Sequence, residues 1–158
     1  MMFIASEFIM NIFNKSNIDI KFKKDQSPVT EADIGAHNIL VNKLEEIFPN
    51  IPIVSEEDNS SHISIPKKFR KYWIIDPLDG TKEFINGGDD FTCNVGLIEN
   101  NMPSLGIVSI PAKNLVYLGG NKIGSYKMHQ KGVLKPIKYS SIQSLTRIVA
   151  SKSHLNQN

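Results

Sequence analysis

An apolar segment of the chain leads directly into two closely spaced carboxylates. Residues 72–75 have the composition of a buried strand, and Asp76 and Asp79 follow them in a turn that also contains Gly80 and Thr81. Two carboxylates held close together raise each other's pKa unless a cation neutralises them. Oxygen ligands without His or Cys favour Mg²⁺, and a glycine turn frees backbone amides to contact an anion. An ordinary Asp-Gly turn explains the same residues, so both interpretations stay open on this segment alone.

Two further acidic clusters precede this turn, and each has a local structural explanation. At residues 30–33, a threonine hydroxyl and a carboxylate three residues later form the arrangement that caps a helix N-terminus. At residues 55–58, three acidic side chains follow a short apolar segment and are compatible with a solvated loop. Taken alone, capping and a solvated loop are the preferred interpretations of these two clusters.

The charged residues are divided unevenly along the 158-residue chain. Residues 1–100 carry all 16 Asp and Glu side chains together with 10 Lys and Arg, whereas residues 101–158 carry eight basic residues and no acidic one. The basic segment has no interleaved aromatic residues and no nucleic-acid-binding motif, so nucleic acid is not an expected partner. A basic face docked on an acidic one is preferred, and any bound cation is expected in the acidic part.

The composition excludes several classes of protein. With 41% hydrophobic and 22% charged residues, the chain has the composition of a globular domain and not of a disordered one. No stretch reaches the ~18 apolar residues of a transmembrane helix. Cys93 is the single cysteine, which excludes a disulfide framework and a cysteine zinc site and fits a reducing compartment. The four histidines are interpreted as surface or capping residues: His37, His62, His129 and His154.

The hydrophobic pattern predicts an α+β fold. Apolar spacing over residues 4–13 predicts an amphipathic helix, and an apolar stripe after Thr30 predicts a second helix that ends at Pro49. Polar segments are predicted at residues 21–28 and 59–64. Strands are predicted at 51–54, 72–75, 91–97, 105–109, 115–118 and 125–129, and a further strand is expected to begin at 147–150. We expect two N-terminal helices packed on an antiparallel meander sheet.

Three motifs, in this order, resemble the inositol monophosphatase superfamily. They are Ser-Pro-Val-Thr-Glu-Ala-Asp at 27–33, Ser-Glu-Glu-Asp at 55–58 and Trp-Ile-Ile-Asp-Pro-Leu-Asp-Gly-Thr-Lys-Glu-Phe at 73–84. Leu78 and the Lys-Glu-Phe segment make the chain most similar to the CysQ-type branch, the 3'(2'),5'-bisphosphate nucleotidases, and residues 91–95 and 151–154 agree with this. The resemblance covers nearly the whole chain and implies the N-terminal half of a layered α/β sugar-phosphatase fold.

The resemblance also implies a set of Mg²⁺ ligands. Glu56 and Asp76 resemble ligands shared between two ions, while Asp79 resembles a ligand of the second ion. The backbone carbonyl of Leu78 would complete the first ion's ligand set. Bound metal of this kind stabilises the attacking and leaving oxygens of a phosphoryl transfer.

The remaining implied roles concern the attacking water and the substrate. Asp33 and Thr81 resemble the catalytic pair that orients and activates the water. Gly80 and Thr81 would contact the scissile phosphate through their backbone amides, and Glu56 and Asp79 complete the implied substrate-binding set.

The function that the resemblance implies is the Mg²⁺-dependent conversion of adenosine 3',5'-bisphosphate to AMP and phosphate, in sulfate assimilation or nucleotide recycling. Two alternatives are an inositol or sugar monophosphatase and a catalytically inactive remnant that binds metal weakly. The sequence has no Trp-Asp-x-Ala-Ala-Gly motif, which marks a second α/β domain in this superfamily. Residues 1–158 are therefore expected to form a single N-terminal metal-binding domain truncated before that second domain, and whether it is an active enzyme stays open.

The same comparison leads to expectations about partners and location. A meander that lacks its second domain would expose apolar surface, so we expect self-association or a partner chain that covers this face. The small-molecule partner is expected to be a phosphorylated nucleotide. The resemblance implies a cytoplasmic location and allows peripheral association with the cytoplasmic side of the inner membrane.

Overall fold

The structure is a computed structural model that describes residues 1–23, 26–58, 69–130 and 132–138. Its helices are α1 (Met2–Phe13), α2 (Glu31–Ile47) and α3 (Thr81–Ile85), with a 3-10 turn at Pro111–Lys113. Its strands are β1 (Ile20–Phe22), β2 (Pro28–Thr30), β3 (Ile53–Ser55), β4 (Lys71–Asp79), β5 (Thr92–Glu99), β6 (Met102–Ile110), β7 (Leu115–Gly120), β8 (Gly124–His129) and β9 (Lys135–Pro136).

Seven strands form one sheet in the order β3-β4-β5-β6-β7-β8-β9. From β4 to β9, each strand pairs antiparallel with the next. The alternating pattern and turn residues predict this meander as far as β8, whereas β9 was not predicted. The α+β class and the meander are thereby confirmed. The sheet is not purely antiparallel, however, because β3 pairs parallel with β4. The long connection between these two strands permits a parallel pairing that a short hairpin would forbid.

The two long helices pack against each other and against one face of the large sheet. The buried positions of α1 and α2 recur every three or four residues, as expected of helices with one apolar face: Met2, Ala5, Ser6, Ile9 and Ile12, then Ala32, Ala36, Leu40 and Leu44. Gly35 permits the close approach of the helices, because a Cβ there would lie 2.0 Å from the ring of Phe8. A buried hydrogen bond of 2.6 Å between the hydroxyls of Ser6 and Ser109 joins α1 to the sheet.

In two parts of the described chain, the structure has regular secondary structure where the sequence predicted only a connecting segment. Residues 21–28 were expected to be a polar connector, but Lys21 and Phe22 lie in β1 and Pro28 lies in β2, and these two strands pair antiparallel. The short helix α3 after Gly80 was also not predicted, because five residues are too few to display a helical period. Its Phe84 is fully buried and packs against Phe13 and Phe91, with ring centroids 5.4 Å and 5.2 Å apart. This ring cluster anchors the end of β4.

Several sequence predictions lie outside the described residues. These are the polar loop at 59–64, the strand expected from 147, the CysQ-like segment at 151–154, and the assignments of His62 and His154. Within the described part of the chain, no helix is long and apolar enough to cross a bilayer.

Candidate functional site

The polar residues Asp76, Asp79 and Thr81 lie close together in the sequence at the end of β4. The pairing of β4 with β5 shifts between Asp76 and Asp79, as in a β-bulge, which bends the strand and redirects its side chains. Gly80 then adopts a φ of +91°, a conformation that other residues rarely adopt. A Cβ at Gly80 would also lie 3.0 Å from the carbonyl oxygen of Asp90. The glycine therefore ends the strand and starts α3 at Thr81.

The parallel pairing of β3 with β4 brings a second acidic segment to this turn. Ser55 lies opposite Ile75, and the Glu56 amide donates to the Ile75 carbonyl at 3.1 Å. Glu56 therefore lies beside Asp76, and the solvated-loop interpretation of residues 55–58 is incomplete. The sequence alone could not establish this proximity, because it depends on a pairing between segments 20 residues apart.

Asp76 is the carboxylate with the most perturbed environment. Burial raises its pKa to about 7, with further contributions from the charges of Glu56 and Asp79 and from hydrogen bonding with Glu56. Its Oδ1 atom is buried and has no hydrogen-bond partner among the described residues. A buried anionic oxygen without a donor is costly unless a cation or a proton compensates it.

Asp33 takes part in both interpretations of the 30–33 cluster. Its Oδ2 accepts hydrogen bonds from the amide and the hydroxyl of Thr30, both at 2.7 Å. The bond from the amide is one half of the capping box of α2, in which the Thr30 side chain in turn accepts from the backbone of the first helical turn. Its Oδ1 accepts a hydrogen bond of 3.0 Å from the hydroxyl of Thr81. Asp33 is only 1% exposed, so capping at one oxygen fixes the other toward the turn. Helix capping and a role in the site are therefore compatible.

The hydroxyl of Thr81 has two possible acceptors. Besides Asp33, it lies 3.1 Å from the backbone carbonyl of Leu78. One hydroxyl carries one proton, so it donates fully to one of these oxygens at a time, and its own oxygen stays available as an acceptor. A water bound to the Thr81 hydroxyl oxygen would therefore lie next to a hydroxyl that is hydrogen-bonded to the carboxylate of Asp33.

The acidic segment after β3 is held in place by neighbours that sequence reasoning missed. The Ser55 hydroxyl is 2.8 Å from Nδ1 of His37 and accepts a hydrogen bond of 3.2 Å from the Glu57 amide. Asp58 folds back to accept from the Ser55 amide at 2.9 Å. His37, expected to be a surface or capping residue, is instead a half-buried partner of this segment. The helical spacing of α2 places it on the side facing β3, which was the available signal.

A lysine is the second neighbour of this acidic segment that sequence reasoning missed. Lys23, which directly follows β1, donates to Glu57 at 2.8 Å and to Glu56 at 3.1 Å. Burial acts to lower the pKa of Lys23, but hydrogen bonds with Glu57 and Glu56 outweigh it and the pKa is raised. Burial likewise raises the pKa of Glu57, whose side chain is 5% exposed, against the lowering influence of Lys23. Lys23 is 33 positions from Glu56 and 34 positions from Glu57 in the sequence, so no local pattern predicts these contacts.

The donor set fits a hard divalent cation. Carboxylates and a backbone carbonyl are ligands that suit Mg²⁺. The buried Oδ1 of Asp76, which has no partner within the described part of the chain, is an acceptor that a cation would satisfy. Glu56, Asp76, Asp79 and the Leu78 carbonyl are the groups that would hold it. Within the described residues, no three His, Cys, Asp or Glu side chains already converge closely enough to bind one ion. Glu56 is engaged by Lys23, so binding requires its side chain to move.

The cysteine next to this cluster has no part in its chemistry. Cys93 is buried on β5, and burial, followed by the charge of Asp76, raises the pKa of its thiol to about 12. A thiol in such an environment is unreactive. The remaining described histidine, His129, is exposed at the end of β8, as expected.

The perturbed carboxylates predict an unusual dependence of stability on pH. Asp76 has an ordinary pKa near 3.8 and a folded-state pKa of about 7, so the folded protein binds its proton more tightly than the unfolded chain does. Its favourable contribution is complete below about pH 4 and is lost as pH rises through 7. In chelator, we expect the melting temperature to fall between pH 5.5 and pH 8, and saturating Mg²⁺ to reverse the fall at pH 8. Scanning calorimetry at both pH values measures this, and a melting temperature that rises with pH would contradict it.

The structure thus combines an α+β fold with a buried carboxylate cluster beside a Thr–Asp pair. The inositol monophosphatase family matches residues 1–158, and the chain belongs to that family. It is 37% identical over 151 residues to the 3'(2'),5'-bisphosphate nucleotidase CysQ of Escherichia coli O6:H1, covering 95% of this chain and 60% of that protein. The chain therefore spans about 60% of the length of this curated relative.

Solved structures show the same relationship. The CysQ of Bacteroides thetaiotaomicron, described as a bacterial member of the inositol monophosphatase family, matches with a TM-score of 0.68 and 32% identity over 89% of this chain and 49% of that one. An IMPase from Thermotoga maritima matches with a TM-score of 0.72 and 26% identity, covering 91% of this chain and 52% of that one. The fold class predicted from the sequence is thus the fold of its relatives.

Proposed function

We propose that the chain is part of a Mg²⁺-dependent phosphatase of the CysQ type that releases phosphate from adenosine 3',5'-bisphosphate. The observation that carries the proposal is the hydrogen bond of 3.0 Å between Thr81 and the buried Asp33, next to a carboxylate cluster with an unpartnered oxygen. Bound Mg²⁺ would neutralise the carboxylates and stabilise charge that develops on the phosphate oxygens.

The residues of the chain supply the rest of the proposed chemistry. Thr81 would hold the attacking water at its hydroxyl oxygen and pass a proton toward Oδ1 of Asp33, whose Oδ2 stays fixed by the α2 cap. The backbone amides at Gly80 and Thr81, at the start of α3, would contact the phosphate oxygens. Glu56 and Asp79 complete the proposed metal and substrate contacts.

The substrate class is tested by comparing phosphate esters. We expect release of phosphate from adenosine 3',5'-bisphosphate with a higher kcat/KM than from inositol 1-phosphate or fructose 1,6-bisphosphate, in line with the 37% identity to a bisphosphate nucleotidase. A malachite-green assay at matched Mg²⁺ concentration measures all three. A preference for inositol 1-phosphate would instead place the chain with the inositol monophosphatases.

A second candidate is a chain that binds metal weakly and has no turnover. It is favoured by the finding that, in the described part of the chain, no three ligating side chains converge as they stand. Metal binding measured by calorimetry without any phosphate release from the three esters would support this candidate over the first.

The proposal extends to partners and location. We infer that a second copy or a partner chain covers the sheet face opposite the buried Ser109, on which Val108 is 38% exposed. We also infer a cytoplasmic location, which fractionation of cells would test.

A further inference from the structure

A lysine from the β1–β2 hairpin contacts the carboxylates that the proposed function assigns to the cation. The Lys23 amide donates to the Ser27 carbonyl at 2.9 Å, and its own carbonyl accepts from the Gln26 amide at 3.0 Å, so its backbone is fixed at the end of β1. Its ammonium group lies 2.8 Å from Oε1 of Glu57 and 3.1 Å from Oε1 of Glu56. The side chain is 25% exposed and so lies largely within the site.

The two carboxylates that Lys23 bridges have different surroundings. Glu57 is 5% exposed and its backbone amide is bound by Ser55, so it has little freedom to leave. Glu56 is 49% exposed and already hydrogen-bonds with Asp76, so its side chain can leave the lysine while it stays beside Asp76. The contact with Glu57 is therefore the permanent one, and the contact with Glu56 is the one that can be exchanged.

The ammonium group and a divalent cation would act on the same carboxylate, that of Glu56. A carboxylate that turns to a dication gives up its hydrogen bond to Lys23, and two positive charges brought close together repel each other. In return, the lysine partly neutralises the acidic cluster when no metal is bound. It thereby stabilises the metal-free form and weakens metal binding.

Resting on the metal site of the proposed function, we propose that Lys23 competes with the divalent cation for Glu56. Without metal, Lys23 joins the β1–β2 hairpin to Glu56 and Glu57. When metal binds, Glu56 turns to the ion, Lys23 keeps its contact with Glu57 but loses the one with Glu56, and the pairing of β1 with β2 opens more often. Lys23 is thus a positioning residue that sets metal affinity and couples it to the motion of the hairpin.

The test compares the Mg²⁺ affinity of wild type with that of Lys23→Met. Methionine keeps most of the apolar stem and removes the charge. We expect the dissociation constant for Mg²⁺ in isothermal titration calorimetry to fall about fivefold or more, the effect of removing one competing ion pair. Lys71→Met is the matched control, because it removes the same charge from a pair of 2.9 Å with Glu99 at the other end of β4, and it should leave the affinity unchanged.

Hydrogen exchange supplies a second readout that does not depend on a variant. In wild type, Mg²⁺ should increase the exchange of the Lys23 amide, which is bound to Ser27, and of the amides of the paired residues Lys21 and Val29. In Lys23→Met, exchange at these positions should be fast with and without Mg²⁺. Equal or weaker Mg²⁺ binding by Lys23→Met, or wild-type exchange that Mg²⁺ leaves unchanged or slows, would overturn the inference. If Lys23→Met does not fold, the Mg²⁺ affinity of Lys23→Gln and the hydrogen exchange of the wild type test the inference instead.

The outcome separates this inference from the proposed function. Tighter Mg²⁺ binding by Lys23→Met without phosphate release by either protein would support the competition and contradict the phosphatase. Absence of Mg²⁺ binding by both proteins would overturn the competition and the metal site together.

Discussion

Replacing Asp76 with asparagine is expected to reduce phosphate release by about 10²- to 10³-fold, the size of effect seen when one electrostatic contact to a transition state is lost. The same change should stabilise the metal-free chain at pH 8. The neutral amide removes a buried negative charge that faces Glu56 and Asp79, and it can donate a hydrogen bond to them. A gain of ~1 kcal/mol would raise the melting temperature by about 2 to 4 °C in a chain of this size. Loss of activity with gain of stability is typical of a residue kept for function.

Asp89→Asn is the matched control for this experiment. Asp89 is exposed and lies 4.0 Å from Lys113, so the same chemical change there should leave activity and melting temperature nearly unchanged. Phosphate release and scanning calorimetry in chelator measure both proteins. Asp76→Asn with wild-type activity, or with a lower melting temperature at pH 8, would contradict our account of this carboxylate.

The second large effect is expected at Thr81. Thr81→Val preserves the shape of the side chain but removes the hydroxyl that donates to Asp33 at 3.0 Å. Loss of a group that positions the water and transfers its proton should lower kcat by about 10²- to 10⁴-fold with a smaller change in KM. Oδ1 of Asp33 would also lose its donor while staying buried, which should lower the free energy of unfolding by about 1 to 3 kcal/mol.

Thr81→Ser separates the hydroxyl from the shape of the side chain. Serine can make the same hydrogen bond from the start of α3, so most of the activity and stability should return. Steady-state kinetics and urea unfolding of the two variants test both effects. If Thr81→Ser is as inactive as Thr81→Val, the methyl group and not the hydroxyl is what the site requires.

The sequence predicted the local elements of this site better than their arrangement. The capping of α2 by Thr30 and Asp33 follows from their spacing, since a capping box is encoded within four residues. The end of β4 was only partly predicted. The apolar segment leads to Asp76 and Gly80 has the positive φ of a turn residue, but the strand predicted over 72–75 continues through Asp76 to Asp79. These features depend on neighbours in the chain, and their physics is local.

The parts that could not be predicted depend on long-range pairing. Glu56 reaches Asp76 because β3 adds parallel to β4, and Thr81 reaches Asp33 across 48 residues. Periodicity indicates which face of an element is buried and does not specify which element lies beside it. Lys23 was missed for the same reason, since its polar segment has no pattern that indicates a hairpin tied to Glu57. The resemblance to the family supplied the grouping of the carboxylates, which spacing alone does not determine.

Phosphate release from adenosine 3',5'-bisphosphate by the purified 158-residue chain, with saturating Mg²⁺ and then with excess chelator, tests the central claim most directly. We predict release that requires Mg²⁺, is lost in chelator, returns when Mg²⁺ is added back, and is reduced by about 10²-fold or more in Asp76→Asn. Release that is the same in Mg²⁺ and in chelator, or the same in wild type and Asp76→Asn, would contradict the claim that this carboxylate cluster is a metal-dependent phosphatase site.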